Sequence, residues 1–289
     1  MADRTRTTTT VADAGRIDLG GDLTVNRLGF GAMRLTGPGI WGEPEDPEQC
    51  RRVLRRALEL GMTLIDTADS YGPEVSERLI AEALHPYPDE LVIATKGGLL
   101  RPGPGRWDPD GRPEHLRTAC EGSLRRLRVD TIDVYQFHRP DPKVPLEESI
   151  GALLELKVEG KIRHVGISNV SVEQLRAAQK VTPIVSVQNR YSLTDRELEP
   201  VLEECSAQQI PFIPWRPLAD EVGANSPLAE IADRVDATPA QVALAWLLAH
   251  SPVMLPIPGT SSVAHLEENC AAAQLRLAPS DLKALDAVQ

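Results

Sequence analysis

Short apolar segments alternate with longer amphipathic segments along nearly the whole chain. Segments 62–66, 91–96 and 132–138 are apolar runs with the length of buried strands. Residues 47–60 place apolar side chains on one helical face, and Gly61 is a typical residue for ending such a helix. This alternation favours a parallel sheet that is covered by helices.

The pattern as a whole contains eight predicted strands and eight principal helical layers. The first strand covers Arg27–Gly31, and the others are predicted to end near Asp66, Lys96, His138, Ser168, Gln188, Pro214 and Pro256. Helices are predicted near residues 47–60, 76–84, 114–126, 146–159, 172–180, 197–208, 227–235 together with 239–249, and 263–273. This order predicts an α/β fold, the (β/α)8 TIM barrel.

Two further elements flank the predicted barrel. Residues 16–25 are predicted to form an N-terminal β-hairpin that turns at Gly20 and Gly21, and residues 279–287 a short carboxyl-terminal helix. No linker-like stretch interrupts the pattern, so we expect residues 15–289 to form a single domain. Residues 1–14 are expected to be a disordered tail, and the first ten lack the hydrophobic core of a signal peptide.

Composition and charge narrow the classes of partner. The chain has 289 residues and a formal charge of −11, which argues against nucleic acid or an anionic membrane as a partner. No apolar stretch approaches the roughly 20 residues of a membrane span. The cysteines at 50, 120, 205 and 270 lie far apart without metal-ligand spacing. We therefore expect buried thiols in a protein of the reducing cytoplasm, with no bound metal and with its oligomeric state left open.

Side chains suited to proton transfer lie where three of the predicted strands end. Asp66, Lys96 and His138 end their apolar runs, and Tyr71 follows Asp66 by five residues. The carboxyl ends of the strands meet at one mouth of a parallel barrel, so we expect these side chains to lie together. A carboxylate, an ammonium, a phenol and an imidazole gathered there suit the delivery of a proton to a substrate carbonyl.

Most of these residues also have a plain structural interpretation. A buried lysine needs an anionic partner, so Lys96 and Asp66 alone would be interpreted as a structural salt bridge. A lone histidine such as His138 is usually a satisfied residue at a strand end. Tyr71 changes the balance, because a lysine cation stabilises a phenolate and lowers its pKa from an ordinary value of about 10. The four residues together therefore favour catalysis.

Tryptophans are concentrated on the face where the strands end. Trp41 lies in the loop after the first strand, Trp107 in the loop after the third, and Trp215 at the end of the seventh. Such residues either cover local apolar surface or contact a substrate at a pocket mouth, and the sequence leaves both alternatives open. Trp41 and Trp107 are the candidate substrate contacts.

Five motifs in this order resemble those of the aldo-keto reductase family. They are IDTADSYG at 65–72, ATK at 94–96, QFHRPD at 136–141, GISN at 166–169 and PIPGT at 256–260. The resemblance covers residues 26–273 and implies a (β/α)8 barrel that moves a hydride from NADPH to an aldehyde or ketone. It implies that Tyr71 is the general acid, that Lys96 and Asp66 tune it, and that His138 positions the carbonyl.

The same resemblance implies a nicotinamide site at the strand ends. Ser168, Asn169 and Gln188 would hold the carboxamide, and Trp215 would stack on the nicotinamide ring. Pro217–Leu218 would continue into a loop beside the pyrophosphate. The other residues assigned to this part of the cofactor site are Gly31, Met33 and Gly259.

The phosphate and adenine end of the cofactor falls on the last barrel helix. Ser261 and Ser262 open this helix, where free backbone N–H groups and the helix dipole attract a phosphate. The resemblance implies that Glu268 and Asn269 contact the adenine. Without it, Ser262 is simply a good N-cap and Asn269 a surface amide, and both interpretations remain open.

The chain departs from the commoner family pattern at several positions. His265 stands where many members have an arginine for the 2′-phosphate, so NADPH is expected but NADH remains an alternative. Arg216 replaces a small or apolar residue, and it would supply positive charge to the cofactor or contact the substrate. The long carboxyl-terminal loop of many members is missing. Segments 25–39 and 259–266 are similar to those of bacterial pyridoxal reductases, which makes pyridoxal a candidate substrate.

Three other classes of protein were weighed against this interpretation. Gly29-Phe-Gly31 imitates the start of a dinucleotide-binding loop, but the third glycine and the following helix are missing, which disfavours a doubly wound dehydrogenase. A metal-dependent hydrolase is disfavoured because no metal-ligand set occurs at the strand ends. A regulatory subunit of aldo-keto reductase type that binds NADPH with little turnover remains an alternative.

Overall fold

Seven parallel strands form the central sheet of the protein, and a computed structural model describes residues 10–218 and 226–288. The strands are β1 (Arg16–Leu19), β2 (Leu23–Asn26), β3 (Phe30–Gly31), β4 (Leu64–Asp66), β5 (Val92–Gly97), β6 (Leu99–Leu100), β7 (Asp108–Pro109), β8 (Ile132–Phe137), β9 (Ile162–Ser168), β10 (Ile184–Arg190) and β11 (Phe212–Trp215). The sheet has the order β11-β10-β9-β8-β5-β4-β3, while β1–β2 and β6–β7 are antiparallel hairpins.

Helices cover the sheet and confirm the predicted helical segments to within a few residues. They are α1 (Pro47–Glu59), α2 (Val75–Leu84), α3 (Pro113–Leu127), α4 (Leu146–Val158), α5 (Val172–Gln179), α6 (Glu199–Gln208), α7 (Pro227–Arg234), α8 (Pro239–His250), α9 (Val263–Ala271) and α10 (Pro279–Asp286). In the described part of the chain, none of the helices is both long enough and apolar enough to span a membrane.

Local sequence signals account for several helix starts. Asp46 caps α1 by accepting a hydrogen bond from the backbone N–H of Gln49, and Pro47 occupies the first turn, where a missing N–H costs no helical bond. Thr238 and Gln241 form a reciprocal capping box at the start of α8. These short-range signals explain why the helix boundaries were predictable from the sequence.

A segment of extended chain at 253–258 closes the barrel between β11 and β3. The backbone N–H of Leu255 donates to the carbonyl oxygen of Phe212 in β11, and the N–H of Gly29, just before β3, donates to the carbonyl oxygen of Pro256. The eighth strand predicted near Pro256 is therefore an irregular connection. It forms no regular ladder because two prolines in this segment have no backbone N–H to donate.

The β1–β2 hairpin, which confirms the predicted one, fills the amino-terminal end of the barrel. Leu19, Leu23 and Val25 of the hairpin are buried in one apolar cluster with Leu64 and Val92, the first residues of β4 and β5. The polar side chains at the opposite, carboxyl ends of the strands are therefore the ones that can line a site.

The amino-terminal segment is ordered over part of the predicted tail. Val11–Ala14 form a 3₁₀ helix, the side chain of Val11 is fully buried, and its N–H donates to the carbonyl oxygen of Leu60. The predicted tail of residues 1–14 is thus wrong for residues 10–14, because an apolar side chain anchors them to α1. Residues 1–9 lie outside the described part of the chain.

A buried ion pair ties α2 to α3 and β5. Glu77 of α2 is fully buried, accepts a hydrogen bond of 2.6 Å from Arg126 Nε and accepts another of 2.6 Å from the Thr95 hydroxyl. Glu77→Ala is expected to lower the free energy of unfolding by roughly 3 kcal/mol, because it leaves the Nε–H of Arg126 and the buried hydroxyl of Thr95 without their acceptor, although Arg126 keeps its ion pair with Glu74. Urea unfolding should show a lower midpoint with an unchanged slope.

Glu82 of the same helix provides the matched control. Its carboxylate pairs with Arg51 and Arg78 at a partly exposed position. Glu82→Ala is expected to cost less than about 1 kcal/mol, since such ion pairs are screened by water. If Glu77→Ala and Glu82→Ala lower the free energy of unfolding equally, burial does not make the Glu77 ion pair more stabilising than the exposed one.

Candidate active site

Parallel pairing brings the predicted catalytic residues to one end of the barrel. Asp66 ends β4 and pairs with Ala94 of β5, and Lys96 follows Ala94 by two residues on the same face of the strand. Lys96 in turn pairs with Gln136 of β8. His138 follows β8 directly, and its backbone N–H extends the pairing toward β5.

Lys96 uses its three N–H donors within a fully buried site. Its Nζ lies 2.6 Å from Asp66 Oδ2, 2.8 Å from the carbonyl oxygen of Thr67 and 3.5 Å from the hydroxyl of Tyr71. Burial alone would lower the pKa of Lys96, but Asp66 and Tyr71 outweigh it and raise the pKa above its ordinary value. The ammonium therefore stays charged beside the phenol.

Two amides that donate to Asp66 complete its hydrogen bonding. Its Oδ1 accepts hydrogen bonds from Gln136 Nε2 at 2.9 Å and from Gln188 Nε2 at 2.8 Å, while Oδ2 accepts from Lys96. Gln136 was missed as a site residue in the sequence. Its position in β8, two residues before His138 and hence on the same face, is the signal that could have identified it.

Tyr71 is buried with its hydroxyl directed at the ammonium. Only 6% of its surface is exposed, and its ring lies edge-on to those of His138 and Trp107, at 6.0 and 6.4 Å between ring centres. Burial raises the pKa of Tyr71 above its ordinary value, and Lys96 opposes this effect without overcoming it. Lys96 thus acts in the predicted direction, but the phenol remains protonated at neutral pH.

His138 is neutral at physiological pH. Burial, followed by the positive charges of Lys96, Arg139 and Arg101, holds its pKa well below the ordinary value of 6.5. Its Nδ1 lies 3.4 Å from the Ser70 hydroxyl. A neutral imidazole in this position can donate one N–H to a carbonyl oxygen without competing with Tyr71 as the acid.

These pKa directions predict a flat pH profile through neutrality. Tyr71 has a raised pKa and loses its proton only above its ordinary value of 10, while His138 has a lowered pKa and gains none near 6.5. The kcat/KM for carbonyl reduction is therefore expected to stay constant from about pH 6 to about pH 10 and to fall only above that. A rate that titrates near 6.5 would contradict a neutral His138.

The predicted carboxamide-binding residues form one hydrogen-bonded group. The Ser168 hydroxyl donates to the carbonyl oxygen of Gln188 at 2.7 Å, and Asn169 Nδ2 donates to Ser168 Oγ at 2.9 Å and to the carbonyl oxygen of His138 at 3.0 Å. Trp215 Nε1 donates to Asn169 Oδ1 at 3.1 Å. The structure thus brings the three predicted carboxamide-binding residues and Trp215 together beside Asp66 and Tyr71.

Two adjoining cavities surround Tyr71. The larger one, of about 510 Å³, is lined by Tyr71, His138, Trp107 and Arg139, together with the carboxamide-binding residues. The second continues from Tyr71 past Trp215, and its other lining residues include Gly31, Met33, Arg34, Arg216, Pro217, Leu218 and Gly259. The predicted residues of the nicotinamide end therefore lie along one groove. Arg34 was not predicted to belong to it.

The groove continues to the start of α9. A third cavity of about 680 Å³ shares Met33 and Gly259 with the second and reaches Ser261. Ser262 caps α9 by accepting from the backbone N–H of His265, whose side chain is exposed. This confirms Ser262 as an N-cap residue.

The remaining two predicted residues of α9 are partly or largely buried. Glu268 accepts a hydrogen bond of 2.7 Å from the Thr238 hydroxyl, so it has a structural contact with α8. Asn269 is 5% exposed, which excludes the simple interpretation as a surface amide.

The two tryptophans that were predicted as substrate contacts, Trp41 and Trp107, lie in different environments. Trp107 lines the cavity that contains Tyr71. In the loop after β3, Ile40 lines this cavity and Trp41 does not. Trp41 faces Arg101 instead, with the guanidinium carbon 5.5 Å from its ring centre. Arg101 and Trp107 both lie in the loop of the β6–β7 hairpin. The sequence did not predict this hairpin, because each of its strands has only two residues.

No metal site accompanies these residues within 10–218 and 226–288, where no group of three or more histidine, cysteine, aspartate or glutamate side chains could hold an ion. The described cysteines are all free and buried. Burial raises the pKa of the thiols at 120, 205 and 270 to about 12. They are therefore inert structural residues, as predicted.

Known proteins resemble this chain over nearly its whole length. An uncharacterized oxidoreductase of Schizosaccharomyces pombe is 52% identical over 279 residues, which cover 95% of this chain and 90% of that protein. Pyridoxine 4-dehydrogenase of Escherichia coli is 42% identical over 276 residues, which cover 93% and 96%. A crystal structure of an aldo-keto reductase from Klebsiella pneumoniae in complex with NADPH matches with a TM-score of 0.80 and 28% identity, covering 94% and 93%.

The family model confirms the resemblance that the motifs indicated. It is described as the aldo/keto reductase family, and it matches residues 27–289. The match spans every strand of the central sheet and all four of the predicted catalytic residues. The barrel, the strand-end side chains and these relatives lead to one conclusion: the chain belongs to the aldo/keto reductase family.

Proposed function

We propose that the protein reduces an aldehyde or ketone to an alcohol with NADPH as the hydride donor. The contact that carries this proposal is the 3.5 Å approach of the buried Lys96 Nζ to the hydroxyl of Tyr71, which lines a cavity large enough for a small substrate. A salt bridge that was only structural would not require the phenol in that position. The family's oxidoreductases and the NADPH complex of the Klebsiella pneumoniae protein support the same reaction.

The four predicted catalytic residues would each have a different role in the transfer of a proton to the substrate. Tyr71 would donate its proton to the carbonyl oxygen, and Lys96 would stabilise the phenolate that remains. Asp66 keeps the ammonium charged and fixed, and two amides hold Asp66 in turn. His138, as a neutral donor, would orient the carbonyl oxygen toward the phenol.

The chemistry of the groove fits the proposed cofactor. Gln188 and Asn169 line the cavity beside Tyr71, where they would hold a carboxamide, Trp215 offers a partly exposed aromatic face, and Arg34 and Arg216 line the groove with positive charge. The start of α9 at Ser262 offers backbone N–H groups suited to a phosphate. When bound, NADPH would supply the hydride. Because the Klebsiella pneumoniae protein is crystallised with NADPH, we propose NADPH as the preferred cofactor and, with His265 in place of an arginine, NADH as the weaker one.

The substrate class follows from the cavity and from one relative. Pyridoxine 4-dehydrogenase of Escherichia coli acts, by its name, on a pyridine alcohol. The cavity beside Tyr71 has an aromatic wall in Trp107 and a volume of about 510 Å³. We therefore propose pyridoxal or another small aromatic aldehyde as substrate.

The test is NADPH oxidation with pyridoxal, benzaldehyde and propanal, with the alcohol product identified by chromatography. One alcohol is expected for each NADPH consumed. Tight binding of NADPH without turnover of any carbonyl compound would contradict the proposal and favour a regulatory, cofactor-binding protein. The same assay with NADH in place of NADPH gives the cofactor preference.

A further inference from the structure

Arg101, in the loop between β6 and β7, joins three separate segments of the chain. Its Nη1 donates to the carbonyl oxygens of Ile40 at 3.0 Å and Ser70 at 2.8 Å, and its Nη2 donates to that of Gly39 at 3.4 Å. Its Nε donates to the carbonyl oxygen of Arg106 at 2.8 Å, across its own loop. One guanidinium thus links the loop after β3, the loop that carries Tyr71 and the β6–β7 hairpin.

The same guanidinium lies between two tryptophan rings. Its central carbon is 3.5 Å from the ring centre of Trp107 and 5.5 Å from that of Trp41. No carboxylate among the described residues pairs with Arg101, and burial lowers its pKa without any opposing acidic group. The guanidinium therefore interacts with backbone carbonyl oxygens and aromatic rings, and not with a carboxylate as in a surface ion pair. We call Arg101 with these contacts the Arg101 clamp.

Trp107 connects the Arg101 clamp to the phenol of Tyr71. Trp107 lies against Arg101 on one side and lines the cavity that contains Tyr71 and His138. Its ring meets that of Tyr71 edge-on, with 6.4 Å between the centres. The position of this aromatic wall over the cavity is therefore set by a residue that does not line the cavity.

We propose that Arg101 is a positioning residue that holds Trp107 as a rigid wall of the substrate pocket, and that this wall gives the enzyme a preference for planar aromatic carbonyl compounds. The inference rests on the proposed function, because it assumes that a carbonyl substrate binds beside Tyr71. A planar ring can lie against Trp107, whereas a short aliphatic aldehyde makes little contact with it. Loosening the wall should therefore harm aromatic substrates selectively.

The test compares benzaldehyde with propanal in wild type, Arg101→Met, Trp107→Ala and the double variant. Arg101→Met keeps an unbranched apolar stem and removes the guanidinium with every side-chain hydrogen-bond donor. It is expected to lower kcat/KM for benzaldehyde about 10- to 100-fold, mainly through KM, because small misplacements of a binding wall are costly. The value for propanal should change by less than about threefold, since its contact with the wall is small.

The double variant tests whether Arg101 acts through Trp107. Once Trp107→Ala has removed the wall, adding Arg101→Met should cause no further loss with benzaldehyde. Arg106→Met is the matched control on the same hairpin, because the side chain of Arg106 is exposed and pairs only with Asp108 among the described residues. It should leave both substrates unchanged.

Several results would overturn the proposal. They are equal losses for both aldehydes, additive losses in the double variant, and an Arg101→Met enzyme as selective as wild type. If Arg101→Met does not fold, Arg101→Gln, which removes the positive charge and the guanidinium, takes its place, and a selectivity equal to wild type would also overturn the proposal. Failure of the proposed function looks different, because wild type would then oxidise NADPH with neither aldehyde.

Discussion

Tyr71→Phe is expected to lower kcat for aldehyde reduction by about 1,000-fold, since removal of a positioned general acid costs 100- to 10,000-fold. The substitution deletes one hydroxyl and leaves the ring in its edge-on contacts with His138 and Trp107. Cofactor affinity should stay within about threefold of wild type, because the loss concerns the transition state and not the ground state. Steady-state kinetics and NADPH fluorescence titration measure the two quantities.

Tyr135→Phe is the matched control for this experiment. Tyr135 lies in β8 and is fully buried, and its hydroxyl has no hydrogen-bond partner among the described residues. Removing that hydroxyl leaves no acceptor unsatisfied, so stability and kcat should both stay near wild type. If Tyr71→Phe and Tyr135→Phe lower kcat by similar factors, the proposal that Tyr71 is the general acid is wrong.

Lys96→Met is expected to lower kcat by about 100- to 1,000-fold, because a preorganised charge beside a developing anion contributes that much. The ammonium is the group that opposes the effect of burial on Tyr71. Without it, the pKa of the phenol rises further, and the phenolate left after proton transfer becomes less stable. Any fall of the rate at alkaline pH should therefore move to higher pH in the variant.

A second measurement separates this catalytic effect from damage to the fold. Lys96→Met also leaves the buried Asp66 without its ion-pair partner, which is expected to cost roughly 3 kcal/mol of stability. Asp66 keeps its two amide donors from Gln136 and Gln188, so the site should still assemble below the lower unfolding temperature. A folded variant with wild-type kcat and an unchanged pH profile would refute the role of Lys96.

Two buried ion pairs lie close together in this protein, and we propose a catalytic role for only one of them. Glu77 with Arg126 and Asp66 with Lys96 are both buried pairs near β5. Only the second places its cation within reach of a phenol that borders a cavity. Burial of charge alone is therefore weak evidence for catalysis, and the third partner is what distinguishes the two.

The positions of the proposed catalytic residues were predictable because they depend on local sequence and on one topological rule. Apolar runs set the strands, and consecutive parallel strands bring Asp66, Lys96 and His138 to the same end of the barrel. The same logic failed for the last strand, where prolines near 256 prevent a regular ladder. It also failed at Val11, whose burial against Leu60 depends on a distant helix.

The sequence by itself determined the alternation of strands and helices, the barrel, and the four residues gathered at its mouth, because these follow from periodicity and chain order. Only the tertiary structure decided that Gln136 holds Asp66, that Trp107 and not Trp41 lines the cavity, and that Arg101 joins three loops. The physical reason is that side-chain partners and the net pKa of a buried phenol depend on contacts between segments far apart in the chain, which no local pattern encodes.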